Sequence, residues 1–183
     1  FITTKMTYKI NIKKNREFYW FLGVLCGDGC ISGNKIMLGT IDYEMAERFH
    51  AILKEITGCV TKIYKIVPRK ENHRIQYAVH VGSVNLTNCL KNRYGSFGTK
   101  KWKIPKEVIN GSVNNKVNFI QGFVDSEGGV GLNMSQQPFI TVTSTNISSL
   151  RKLDKLILDL GINTLFRVGK NRADIKINRK EDV

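Results

Sequence analysis

Phe21-Leu22-Gly23-Val24-Leu25-Cys26-Gly27-Asp28-Gly29 is answered ninety-nine residues later by Ile120-Gln121-Gly122-Phe123-Val124-Asp125-Ser126-Glu127-Gly128. Each segment is a short apolar run with a small residue at every fourth position, closed by small-acid-Gly. Residues four apart are neighbours on a helix, so Gly23 with Gly27, and Gly122 with Ser126, form two flat seams with almost no side chain. Such seams can approach closely, and that approach would bring Asp28 and Glu127 together at the two helix ends. A carboxylate there faces the negative pole of its helix, and two in contact also repel each other. A divalent cation reverses the sign of all these terms. Carboxylates and helix-end carbonyls are hard oxygen ligands suited to Mg²⁺. Either motif alone reads better as an acid-Gly turn after a core helix; the pair in matching context does not.

The repeat extends beyond the motifs. Arg16 to Gly27 reads as the first motif helix, and Asn34 to Thr40 alternates as a half-buried strand. Asp42 is a helix N-cap for Met45, Phe49, Ile52, Leu53 and Ile56, with Gly58 as the stop. Val60 to Val67 is β-rich, and Arg74 to Val81 alternates again. A short helix near Leu86 to Tyr94 leads into a Gly-, Lys- and Asn-rich connector. The order then recurs: a helix over Val117 to Ser126, a strand at Phe139 to Thr143, and a helix from Ser144 or Asn146 to Gly161. Strands follow at Asn163 to Val168 and Arg172 to Ile177. The chain therefore reads as two αββαββ units: residues 1–97, a connector over 98–115, and residues 116–183. The first unit continues into a helix where the second stops.

The 183 residues are 42% hydrophobic, enough for a substantial core. Lys and Arg number 29 against 15 acids, a formal charge of +14. A chain this basic is drawn to polyanions, above all nucleic acid. No segment approaches the ~20 apolar residues of a membrane span. The four cysteines lack CxxC spacing, which argues against zinc and against a disulfide framework. With no signal peptide in the sequence, an intracellular protein is expected, in cytoplasm, nucleoid or organelle.

Helices covering one face of each sheet leave a second face to be solvated or bound. Strand alternation puts Lys35, Met37, Arg74, Gln76, Ala78 and His80 on it in the first unit. The second unit offers Gln137, Phe139, Thr141, Thr143, Arg167, Arg172, Asp174 and Lys176. Arg, Lys and Gln read guanine and adenine edges, and β-ribbons fit the major groove. Lys62, Lys65, Arg69, Lys70 and Lys170 suit phosphate contacts. His50, His73 and His80 lack metal spacing and read as surface or contact residues.

With both motifs, their separation and the charge in view, the chain resembles the LAGLIDADG homing endonucleases in their monomeric, two-motif form. The Trp102-Ile104-Pro105 neighbourhood also resembles the family's region after its first repeat. The resemblance implies an α+β fold, a saddle of two antiparallel sheets with the motif helices packed at the centre. It implies cleavage of long, weakly symmetric double-stranded DNA sites across the minor groove, leaving short 3′ overhangs and promoting intron mobility. It makes Asp28 and Glu127 catalytic Mg²⁺ ligands, joined by the backbone carbonyls of Gly27 and Ser126. Mn²⁺ would substitute, and Ca²⁺ would bind without supporting cleavage. The family often carries Lys or Gln near the end of the strand after each motif. Here those places read Gly39-Thr40-Ile41 and Thr143-Ser144-Thr145, leaving Lys176, Arg179 and Lys180 as candidates for basic support. The alternative on the same scaffold is a noncatalytic, RNA-binding maturase, which would not require both acids.

Overall fold

A computed structural model describes residue 10 and residues 12–58, 61–68, 74–98 and 100–178. Each repeat opens with a motif helix whose start is fixed by a side-chain cap. The Asn15 carboxamide accepts from the Phe18 amide at 3.0 Å and starts α1 (Arg16–Cys26). Ser112 caps α5 (Val113–Glu127) in the same way. The cap lies upstream of the apolar run, so α5 is about one turn longer at its N-terminus than hydrophobic periodicity indicates. Every residue of α1 from Phe18 to Cys26 is buried, as an all-round apolar helix must be.

After α1 come β1 (Gly29–Ser32), β2 (Lys35–Thr40), α2 (Tyr43–Thr57), β3 (Ile63–Ile66), β4 (Gln76–Gly82) and α3 (Val84–Tyr94). After α5 come β5 (Gly128–Leu132), β6 (Pro138–Ser144), α6 (Ile147–Leu158), β7 (Leu165–Val168) and β8 (Ala173–Asn178). The sheets are antiparallel with matching order, β1-β2-β4-β3 and β5-β6-β8-β7. Gly29 pairs with Leu38 and Gly128 with Val142, so the registers correspond, with β2 and β6 offset by 104 residues instead of ninety-nine because the second hairpin is longer. The two repeats differ in the hairpin: Gly33-Asn34 turns the first, with Gly33 at φ 55°, while residues 133–137 turn the second. Asn133 organises that longer turn, its carboxamide oxygen accepting from the Ser135 and Gln137 amides. In the first repeat α3 packs against β2, and Ile36 and Val81 are buried. Among the described residues no helix follows β8, and the matching Ile140 and Ile177 are half-buried.

The connector departs from its loop-like composition. Trp102, Ile104 and Val108 are buried, and α4 (Lys106–Ile109) forms a short turn of helix. Trp102 lies 4.6 Å from the Phe123 ring between centroids, and its carbonyl accepts from Asn146 Nδ2 and Ser149 Oγ at 2.8 and 2.7 Å. Three apolar residues spaced too irregularly to mark an element thus tie the repeats into one core.

Candidate functional site

The seam between α1 and α5 is made of backbone. A methyl group on Gly23 would run into the Phe119 carbonyl oxygen, and one on Gly122 into the carbonyl of Trp20. At the far end a methyl on Gly27 would strike Ser126 Oγ and approach Glu127 Cγ to 3.0 Å. Ser126 turns its hydroxyl back onto its own helix, donating to the Phe123 carbonyl at 2.9 Å. The small residues therefore let the helix ends touch, as the seam pattern requires.

Asp28 follows the C-cap Gly27 and is exposed; Glu127 is the last residue of α5 and half-buried. Although the Asp28 side chain reaches solvent, desolvation by the protein packed around it pushes its carboxyl above the usual range. Burial, and then the negative charge of Asp28, do the same to Glu127. Among the described residues neither carboxylate has an ion-pair or hydrogen-bond partner. No cluster of three or more His, Cys, Asp or Glu exists among them that could hold a metal by side chains alone. The site is a pair of uncompensated acids beside helix-end carbonyls in a strongly cationic protein. Its chemistry fits a hard divalent cation whose remaining ligands come from backbone, water and substrate.

The strand register sorts the remaining candidates. In the first sheet Met37 stands opposite His80, and Gly39 opposite Ala78. Lys35 and Gln76 share that face. So do Cys30, Ser32, Tyr64 and Ile66, which sequence reasoning did not single out. Tyr64 and His80 stack with centroids 4.9 Å apart and planes 4° from parallel. The signal for Tyr64 was present in Ile63–Ile66, but the phase of that short strand is fixed only by its pairing with β4. Lys65 stands opposite Tyr77 and so belongs to the helix-side face, away from Gln76. Lys62 and Arg74 sit just before β3 and β4. Arg69, Lys70 and His73 lie outside the described residues.

In the second sheet Thr141 opposes Lys176, Thr143 opposes Asp174, and Arg167 opposes Asp174 from the other side. Phe139 shares this face, with Lys176 Nζ 3.8 Å from the centre of its ring. Gln137 lies in the β5–β6 turn, and Lys170 and Arg172 in the β7–β8 turn. Gly39 and Thr143 stand beside the two acids one step past the Gly29–Leu38 and Gly128–Val142 pairs, so no lysine occupies either strand position. Arg179 and Lys180 lie outside the described residues. Sequence reasoning also passed over the hydrogen bond from Trp20 Nε1 to Asp125 Oδ2 across the seam, 2.7 Å long. No spacing rule encodes such a contact.

Comparison with known proteins agrees with this fold. Two curated relatives are an uncharacterised protein of Methanocaldococcus jannaschii and the ribonucleoside-diphosphate reductase NrdEB subunit alpha of Bacillus subtilis. The first is 27% identical over 174 residues, covering 91% of this chain and 63% of the relative. The second is 23% identical over 170 residues, covering 86% of this chain and 15% of the relative. The chain thus spans less than two thirds of either protein. Among solved structures, the homing endonuclease I-WcaI bound to its DNA recognition sequence superposes with TM-score 0.63 at 12% identity, over 89% of this chain and 75% of that one. I-DmoI in complex with DNA and Mn gives 0.60 at 14%, over 88% and 89%. Full-length DUF199/WhiA from Thermatoga maritima gives 0.61 at 14%, over 94% and 54%. These structures share the saddle of two sheets. Residues 15–93 and 114–182 match the LAGLIDADG-like domain, together most of the sequence, and the chain belongs to that family.

Proposed function

We propose that this protein is a site-specific, metal-dependent DNA endonuclease that makes double-strand breaks and serves intron mobility. The observation that carries the reading is the meeting of Asp28 and Glu127 at the tips of α1 and α5. The fold alone does not select cleavage, because homing endonucleases and DUF199/WhiA both have it. Two repelling carboxylates without a protein partner contribute nothing to a scaffold that only binds. They cost stability unless they hold something.

Asp28 and Glu127 would hold Mg²⁺, with the Gly27 and Ser126 main-chain carbonyls beside them. Bound there, the cation would supply an acidic water and neutralise charge on the leaving oxygen. The protein's own part is placement. The seam would hold both carboxylates on the pseudo-two-fold axis, where a phosphate on either strand could reach them. One acid comes from each repeat, so a single chain forms the whole site, consistent with action as a monomer. The sheet faces would lie along a long, weakly symmetric duplex, and short 3′ overhangs would follow from cuts across the minor groove. Lys176 is the described cation on the second face that stands the fewest strands from the acids, two strands from Gly129.

The test is a cleavage selection on a randomised duplex library in Mg²⁺, with Mn²⁺ as the substitute metal and Ca²⁺ as the arm for binding alone. Recovery of one cut sequence with 3′ overhangs is the expected result. Enrichment of a bound sequence that is never cut in Mg²⁺ or Mn²⁺ would leave a DNA-binding protein and remove the nuclease.

A further inference from the structure

The two sheet faces carry different chemistry, although their backbones match strand for strand. On the first face Gly39, Ala78 and Tyr64 stand level with Asp28 in register and carry no charge; Met37, Ile66 and the carboxamide Gln76 flank them, and Lys35 and Ser32 stand further along the strands. The His80 ring is already stacked on Tyr64. On the second face the corresponding zone is polar and charged. Arg167 stands directly opposite Asp174, with Thr143 on the other flank, and no ion pair joins Arg167 to Asp174 among the described residues. Both groups therefore keep their hydrogen-bonding capacity for a ligand.

Base edges divide along the same line. A carboxamide matches the N6 and N7 edge of adenine, and small or apolar side chains fit against the thymine methyl. A guanidinium matches guanine O6 and N7, and a carboxylate accepts from cytosine N4. Residues directly opposite on neighbouring strands stand ~5 Å apart at Cβ, so Arg167 and Asp174 can reach the two bases of one pair or of adjacent pairs. We infer that the protein reads a chemically lopsided duplex: the first sheet takes an A·T-rich half-site through Gln76 and its apolar neighbours. The second takes a half-site containing G·C pairs through Arg167 and Asp174. This rests on the reading that a duplex lies along both sheets, but not on whether it is cut.

The experiment is a binding selection in Ca²⁺ on a randomised duplex library, run with the wild-type protein and with Gln76→Ala, Arg167→Ala and Asp174→Ala. All three positions lie on the solvent side of their sheets, and circular dichroism checks that each variant is folded. The wild type should enrich a site with one A·T-rich half and one half holding defined G·C pairs. Arg167→Ala and Asp174→Ala should relax base preference about tenfold at positions in the G·C half alone, and Gln76→Ala in the other half alone. Two halves of equal composition would overturn the inference, as would loss of A·T preference on changing Arg167. A lopsided bound site that is never cleaved supports it and overturns only the nuclease reading. Failure of the wild type to enrich any sequence removes both.

Discussion

The indole N–H of Trp20 donates to the Asp125 carboxylate at 2.7 Å, joining the buried face of α1 to the last turns of α5. Arg48 lies over the same indole, 4.0 Å from the ring centre, and its guanidinium is held by Glu17 at 2.7 and 3.2 Å. A glycine seam permits close approach but has few knobs to fix how far one helix slides along the other. A directional, charge-assisted bond can set that register. The bond exists once, not twice: the residues at the equivalent positions are Phe119 and Cys26, which cannot form it.

Trp20→Phe deletes the donor and leaves part of the buried indole's space empty, so we expect a loss of about 2 kcal/mol or more in urea unfolding and a larger proportional loss of cleavage. Asp125→Asn, made in the protein that keeps Trp20, retains an acceptor and should keep most of both. Equal cutting by Trp20→Phe and wild type would remove this bond from the positioning of the acids.

Asp28→Asn and Glu127→Gln should each abolish double-strand cleavage while target affinity measured in low salt changes little. The two halves share one site, so neither variant should cut both strands at the normal rate. Gel separation of nicked from linear product reads the outcome directly, and normal linearisation by either variant would refute the shared-metal assignment.

The raised pKa values of Asp28 and Glu127 make a signed claim about stability. An acid whose pKa is higher in the folded state binds its proton more tightly there. Its contribution favours folding below the unfolded pKa, about 4, and is lost as pH rises through the folded value. Without divalent metal, Asp28→Asn should therefore be more stable than wild type near pH 7, with the difference shrinking towards pH 4. Saturating Mg²⁺ should narrow or reverse it, since the wild type alone keeps both ligands. Paired urea melts across that range decide the matter, and a difference independent of both pH and Mg²⁺ would sink it.

Gly122→Ala drives a methyl into the Trp20 carbonyl, backbone against backbone, and should cost about 3 kcal/mol or more. Gly39→Ala, with nothing within 4 Å of the added carbon, is the control and should shift thermal unfolding little. A tolerated Gly122→Ala would mean that the helices do not meet as described.

DNA affinity should fall steeply with salt. With six or more phosphates neutralised, the loss between 50 and 200 mM is about a thousandfold. A flat response in fluorescence anisotropy would contradict a phosphate-tracking interface.

The repeat, the motif helices, the strand alternation of β2 and β4 and the position of one acid at the end of each motif helix were all legible in the sequence. Each depends on local periodicity or on small residues at fixed spacing, which one dimension records. The structure decided what depends on which segment lies beside which. Pairing with β4 put Tyr64 and Ile66 on the open face and Lys65 on the other, because a four-residue strand carries too little pattern to set its own phase. Packing drew Trp102 out of a lysine-rich connector into the core. The reach of one indole across the seam singled out Asp125, a contact between residues 105 apart in sequence that no local rule can anticipate.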